Sequence, residues 1–195
     1  MKKVLFVNSC IRRDKSRTYE IAKHFIDSLN KSEYNVEEIC LMDEPLECFK
    51  DGFFEQRERL IASGNYNHPR FRYAWQFKDA DKIVIAAPFW DLSFPALLKV
   101  YIENLCVEGI TFKCNESGCF GVCNADKLIY ITTRGGTYTD SPMEMGAKYI
   151  DAMCSFFGIE TFKCIAADGL DVLVDEYDKI MNDTKNKAES EAKHF

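Results

Sequence analysis

Residues 81–88, DKIVIAAP, contain a continuous apolar run that ends at a proline. Residues 3–8 (KVLFVN) and 127–132 (KLIYIT) form two further runs of this kind. Alternating apolar and polar residues are typical of a strand with one face in water, whereas a continuous run indicates that both faces are covered. We therefore predict three buried parallel strands, with two less regular strands at residues 35–41 and 159–166.

Between these predicted strands the apolar residues recur at helical spacing. Residues 21–29 and 97–105 each predict an amphipathic helix that packs on the sheet. We expect further helices at residues 143–157 and from Asp171 into the charged tail, whose end should fray into solvent. Residues 44–67 show no clear pattern. Strands and helices that alternate in this way predict an α/β fold, a doubly wound five-stranded parallel sheet with helices on both faces.

The composition limits the classes of function. The chain has 195 residues, 47% of them hydrophobic, and a net charge of −6. This size predicts a single domain over residues 1–195, and the negative charge argues against nucleic acid or an anionic membrane as a partner. No run approaches the ~18–20 apolar residues of a membrane-spanning helix. The chain has nine cysteines, an odd number, which we interpret as reduced thiols of a cytoplasmic protein.

The loop after the first predicted strand favours an anion. Residues 8–18, NSCIRRDKSRT, bring hydroxyls and several cations to the start of a helix, where free N–H groups and the helix dipole attract negative charge. The loop has no glycine, so neither the dinucleotide fingerprint nor the Walker A loop is present. We expect a monophosphate held by hydroxyls and amides. The alternative is that Ser16 or Thr18 simply caps the helix.

Two later loops follow neighbouring strands of the expected sheet. Residues 87–95, APFWDLSFP, place Phe89 and Trp90 at a strand end, where they predict contact with a flat ring; packing in the core is the alternative. Residues 132–136, TTRGG, contain a glycine pair that lets the backbone approach a ligand, although Gly-Gly also forms ordinary turns. Because ligands of such sheets bind beyond the carboxyl ends of the strands, we expect these loops to form one site.

Together these stretches resemble the FMN-dependent NADH-azoreductase family, also described as NADH:quinone oxidoreductases, which has a flavodoxin-like fold with strand order 2-1-3-4-5. The resemblance covers nearly the whole chain and fades only over residues 43–69. The stretches that carry it are residues 2–9, the Ser16-Arg17-Thr18 triplet, the block IVIAAPFWDLSFPALLKVYIENLCVEGITF at 83–112, residues 131–136, Tyr138, Pro142 and residues 156–158.

The resemblance implies a homodimer with one FMN per subunit. NADH or NADPH would reduce the FMN, which would then reduce a quinone or azo compound in two-electron ping-pong steps. It implies no metal and no side chain acting as a catalytic acid or base. The cofactor-binding residues that it implies are Ser9, Cys10, Ser16, Arg17, Thr18, Pro88, Phe89, Trp90, Asp91, Leu92, Thr133, Arg134, Gly135, Gly136 and Tyr138. It also assigns Phe156 and Cys114 to the substrate pocket.

Residues 114–123 contain three cysteines in a segment that we expect to form a hairpin. Three ligands are too few for a structural zinc or an iron–sulfur cluster, so we expect these thiols to have no functional role. The alternatives are redox-active thiols and a metal site. Two rival functions remain on the same scaffold. One is a flavodoxin-type electron carrier with no substrate of its own, and the other is a thiol or metal redox sensor.

Overall fold

The computed structural model describes all 195 residues. A five-stranded parallel sheet and a separate two-stranded hairpin contain all the strands. In chain order these are β1 (Lys2–Asn8), β2 (Tyr34–Cys40), β3 (Lys82–Ala86), β4 (Phe112–Asn115), β5 (Gly118–Gly121), β6 (Lys127–Thr133) and β7 (Thr161–Ala167). Strands β4 and β5 form the hairpin, and the other five are hydrogen-bonded in the order β2-β1-β3-β6-β7.

This order confirms the flavodoxin-like fold. Once the hairpin strands are set aside, it reads 2-1-3-4-5, and all five predicted strands are present within about two residues of their expected ends. From β1 the chain passes to β2 on one side and then crosses to β3 on the other. The strand order therefore reverses at the carboxyl ends of β1 and β3, where ligands of open α/β sheets bind.

Six α-helices accompany the sheet: α1 (Arg17–Asp27), α2 (Asp51–Ala62), α3 (Arg72–Lys78), α4 (Ala96–Leu105), α5 (Gly146–Phe157) and α6 (Tyr177–Ala192). Helices α1 and α6 pack on the face that contains Val4 and Phe6 of β1. Helices α3, α4 and α5 pack on the opposite face, which contains Leu5 and Val7. Both faces are covered, as the continuous apolar runs indicated. None of the helices is both long and apolar enough to span a membrane.

The predicted fraying of the tail is wrong. Helix α6 begins at Tyr177 rather than near Asp171, and it buries one side against α1 and the sheet. The Phe195 ring is only 8% exposed and lies 5.2 Å from the Phe25 ring, while the Tyr34 hydroxyl donates to the Phe195 carbonyl at 2.7 Å. The buried side of α6 consists of small or weakly apolar residues, so the sequence shows no strong stripe; these are Met181, Thr184, Ala188 and Ala192.

Candidate functional site

A cleft of about 430 Å³ opens at the carboxyl ends of β1, β3, β6 and β7. Its lining residues are Arg12, Ser16, Arg17, Pro88, Phe89, Trp90, Thr133, Gly135 and Asp171. The three loops that the sequence singled out therefore meet at one place. Two lining residues, Arg12 and Asp171, are not among the predicted site residues. Asp171 follows the last strand, so the rule that ligands bind at carboxyl ends was the signal that could have found it.

One end of the cleft has the features of an anion site. Ser16 is the N-cap of α1, and its hydroxyl accepts from the Tyr19 amide at 3.3 Å. The amides of Arg17 and Thr18 have no protein acceptor, because they belong to the first turn of the helix. Ser16 thus caps the helix, as the simpler interpretation held, and also lines the cleft. Free N–H groups, the helix dipole and two arginines all favour a negative charge here.

Two hydroxyls behind this anion site are completely buried. The Ser9 hydroxyl has no hydrogen-bond partner in the protein. The Thr18 hydroxyl lies 2.6 Å from the Thr133 hydroxyl, which joins the start of α1 to the end of β6. Thr18 therefore fixes residues 133–136, the glycine loop, relative to the anion site. The Ser9 hydroxyl, directly after β1, has no partner and does not line the cleft.

The opposite end of the cleft is aromatic. Residues 90–93 form a tight turn in which Trp90 and Ser93 exchange two backbone hydrogen bonds, of 3.1 and 2.8 Å. Asp91 and Leu92, the two central residues, have φ of 49° and 67°. Left-handed conformations of residues other than glycine are strained, and such strain clusters at functional sites. The turn leaves Trp90 43% exposed on the cleft, so Trp90 is not a core residue.

The glycine loop adds donors between the two ends. The amides of Gly135 and Gly136 donate to no protein atom, while their carbonyls accept from the Asp171 and Gly169 amides. Arg134 differs from its neighbours, since its amide donates to the Ala167 carbonyl at 2.8 Å and extends the pairing of β6 with β7. The resemblance implied that residues 133–136 bind the cofactor, and two of these residues, Gly135 and Gly136, have free amides.

The Arg134 side chain points away from the cleft into a buried ion-pair network. It is 3% exposed and lies 3.1 Å from both Glu144 and Asp168. Asp168 also accepts from the amides of Tyr138 and Thr139. Burial by itself would raise the pKa of Asp168, but hydrogen bonds from Thr139 and the charge of Arg134 outweigh it and hold that pKa below its usual range. The network therefore fixes residues 134–139, which include Tyr138, whose ring lies 4.7 Å from that of Phe89.

Seven of the predicted site residues line the cleft, and the other ten do not. These ten are Ser9, Cys10, Thr18, Asp91, Leu92, Cys114, Arg134, Gly136, Tyr138 and Phe156. Cys10 is completely buried, its thiol donates to the Ala86 carbonyl, and burial raises the pKa of that thiol to about 12. Helix α5 begins beside the cleft, where the Met145 amide donates to the Leu92 carbonyl. It ends at the opposite edge of the sheet, where β7 begins. Phe156 is at this far end, packed 4.8 Å from the Phe112 ring. Cys114 is in the same region, on the hairpin, and neither residue lines the cleft of its own chain.

The prediction that all nine cysteines are reduced is wrong. Cys114 and Cys119 face each other across the hairpin and form a disulfide. The expected hairpin itself is confirmed. Cys123 remains a free thiol, and burial raises its pKa to about 12, so it is neutral near pH 7.

Comparison with known proteins agrees with this geometry. A family model described as "Flavodoxin-like fold" matches residues 2–192. The chain is 39% identical, over the full length of both proteins, to the FMN-dependent NADH:quinone oxidoreductase 2 of Clostridium acetobutylicum. The chain belongs to this flavodoxin-like family.

Solved structures of the family have the same architecture. An azoreductase from Bacillus anthracis superimposes with a TM-score of 0.90 at 27% identity, and both chains are covered completely. A second B. anthracis structure, an FMN-dependent NADH-azoreductase in complex with FMN, superimposes with a TM-score of 0.88 at 26% identity and covers 100% of this chain and 99% of the other. The resemblance to the FMN-dependent NADH-azoreductase and NADH:quinone oxidoreductase family is thereby confirmed.

Proposed function

We propose that this chain is an FMN-dependent NAD(P)H oxidoreductase that reduces quinones, azo compounds or similar acceptors by two-electron ping-pong transfer. The observation that carries the proposal is one cleft with an anion site at one end, an exposed indole at the other and free backbone amides between them. The names of the relatives, FMN-dependent NADH:quinone oxidoreductases and azoreductases, point to the same activity.

The residues of the cleft fit FMN. Its phosphate matches the amides of Arg17 and Thr18, the Arg17 guanidinium and the Ser16 hydroxyl, and the unpaired hydroxyl of Ser9 gains a partner if a phosphate or ribityl oxygen reaches it. No glycine widens this loop for a pyrophosphate, so we propose FMN rather than FAD. Cys10 contributes by packing, because its thiol is already bonded within the protein.

The chain positions the reactants rather than exchanging protons with them. FMN, when bound, would supply the hydride-transfer chemistry that links the nicotinamide to the acceptor. The aromatic end, formed by Pro88, Phe89, Trp90, Asp91 and Leu92, would hold the flavin ring. The free N–H groups of Gly135 and Gly136 would donate to the edge of the ring where negative charge collects, because prearranged donors stabilise developing charge. We assign no catalytic acid or base, since hydride transfer requires close stacking.

We propose a cytoplasmic homodimer in which residues 1–195 form one FMN-binding domain. Phe156 and Cys114 lie far from the cleft of their own chain, so they serve a substrate pocket only if they approach the cleft of a second chain. Seven of the nine cysteines are free, as in a reducing compartment, whereas the Cys114–Cys119 disulfide departs from that pattern. The proposed reductant is a nicotinamide, NADH or NADPH.

One experiment separates this function from its two rivals. The purified protein is heated, the released flavin is identified by chromatography, and oxidation of NADH and NADPH is followed with and without a quinone. We expect FMN, steady nicotinamide oxidation only with quinone, and parallel double-reciprocal plots of a ping-pong reaction. An electron carrier would contain FMN but show no steady turnover, and a thiol or metal sensor would contain no flavin.

A further inference from the structure

A carboxylate lies within the anion site of the cleft. Asp171 lines the cleft together with Arg12 and Arg17, so the charged side chains of the lining are two cations and one anion. One oxygen of Asp171 lies 2.8 Å from the Arg17 guanidinium. This ion pair and the charge of Arg12 hold the pKa of Asp171 below its usual range, so the carboxylate is ionised at neutral pH.

The backbone fixes Asp171 in this place. Its amide donates to the Gly135 carbonyl at 2.9 Å, and the preceding Leu170 amide donates to the Arg134 carbonyl at 3.1 Å. A Cβ added to Gly135 would lie 2.3 Å from an Asp171 carboxylate oxygen, so the carboxylate rests directly against the glycine backbone. The absence of a side chain at residue 135 therefore makes room for a negative charge at the entrance to the anion site.

We propose that Asp171 opposes the phosphate of the cofactor and thereby limits how strongly that phosphate contributes to flavin binding. In the flavin-free protein it neutralises Arg17, and in the loaded protein it places a negative charge near the phosphate dianion. Asp171 is thus a specificity-determining residue of the cofactor site. This inference rests on the proposed function, since it takes FMN as the ligand of the cleft.

The test compares a flavin that has a phosphate with one that lacks it. FMN and riboflavin are titrated into the full-length, flavin-free protein, and binding is followed by the quenching of flavin fluorescence at two salt concentrations. The variants are Asp171→Asn and, as a matched control, Asp175→Asn. Asp175 is exposed on the same loop but does not line the cleft. The Asp171 side chain is 63% exposed, so both variants should fold, which thermal unfolding verifies.

We expect Asp171→Asn to tighten FMN binding about fivefold to tenfold. Removing one like charge near a phosphate lowers a dissociation constant by about tenfold or less. The effect should shrink at high salt. Riboflavin affinity should stay within about twofold, and Asp175→Asn should change neither flavin by more than about twofold.

Weaker FMN binding by Asp171→Asn would overturn the proposal and show that Asp171 positions Arg17 for the phosphate. An equal change for both flavins, or no change for either, would also overturn it. Failure of the wild-type protein to bind FMN is a different result, because it would contradict the proposed function itself.

Discussion

At the scale of single residues, the site contains polar groups that the protein leaves without partners. Ser9 is completely buried, and its amide donates to the Ala86 carbonyl, yet its hydroxyl has no acceptor or donor. A buried polar group without a partner costs about 1–3 kcal/mol. The loop beside it also leaves the amides of Arg17 and Thr18 free. A ligand that satisfies these groups would recover this free energy.

The substitution Ser9→Ala should therefore have opposite effects on the stability of the protein and on its affinity for FMN. The free energy of unfolding of the flavin-free protein should stay constant or rise, because the unpaired hydroxyl is removed. FMN binding should weaken by about 1–2 kcal/mol, because a hydrogen bond to a polar or charged group is lost. Denaturant unfolding and flavin titration measure the two quantities, and Ser63→Ala at the end of α2 serves as control. A less stable protein with normal FMN affinity would show that the Ser9 hydroxyl has a structural role.

The sequence could predict only part of the site at this scale. The sequence predicted four cleft residues because each follows a strand that an apolar run reveals; these are Ser16, Arg17, Phe89 and Trp90. The sequence could not predict the pairing of Arg17 with Asp171. These two residues are 154 positions apart and meet only because β1 and β7 end at the same edge of the sheet. No local pattern encodes such a contact.

At the scale of elements, the strands were predictable because both of their faces are buried. Strand β3 is buried at every position, and after Lys82 it is an uninterrupted apolar run. Helix α2 has no buried residue, so no stripe marks it, and α3 has only seven residues. Helix α5 begins three residues later than expected, at Gly146. Elements that bury little or are short therefore do not show a periodic pattern in the sequence.

The hairpin is attached to the end of α5 by a contact that only glycine allows. A Cβ added to Gly121 would lie 1.8 Å from the Phe157 carbonyl carbon, whose position the helix fixes. We expect Gly121→Ala to lower the free energy of unfolding by about 3 kcal/mol, because backbone has to move. The control Gly52→Ala meets open space within α2 and should stabilise slightly, by about 0.5–1 kcal/mol. Equal stability of Gly121→Ala and the wild type in denaturant would contradict this packing.

The disulfide of the hairpin should matter for stability and not for turnover. Cys114 and Cys119 are only five residues apart, so we expect Cys114→Ser with Cys119→Ser to cost about 2 kcal/mol of stability. Turnover with NADH and saturating quinone should stay within about threefold, which is below ~1 kcal/mol of barrier. Cys48→Ser, at an exposed free thiol, is the control. Loss of flavin reduction in the double variant would instead identify the hairpin as a second redox centre.

At the scale of the whole molecule, apolar side chains collect beside the cleft. Trp90 and Leu92 are 43% and 40% exposed, and Met143 and Met145 are 53% and 50% exposed. The two segments are joined by the hydrogen bond from the Met145 amide to the Leu92 carbonyl. Exposed apolar patches mark sites of association in soluble proteins. The proposed homodimer would cover it and bring a second chain to the cleft.

Light scattering over a range of protein concentrations tests the proposed dimer. We expect a dimer for the wild type and dissociation for Met145→Glu, because a carboxylate buried at an interface without a partner costs several kcal/mol. Turnover with quinone should fall with the dimer fraction, because Phe156 would approach a cleft only in the proposed dimer. Val174→Glu is the matched control, since Val174 is 68% exposed on the loop that carries Asp171, away from Met145 in the chain. If Met145→Glu is monomeric and retains full turnover, the pocket is complete within one chain, and neither Phe156 nor Cys114 contributes to it.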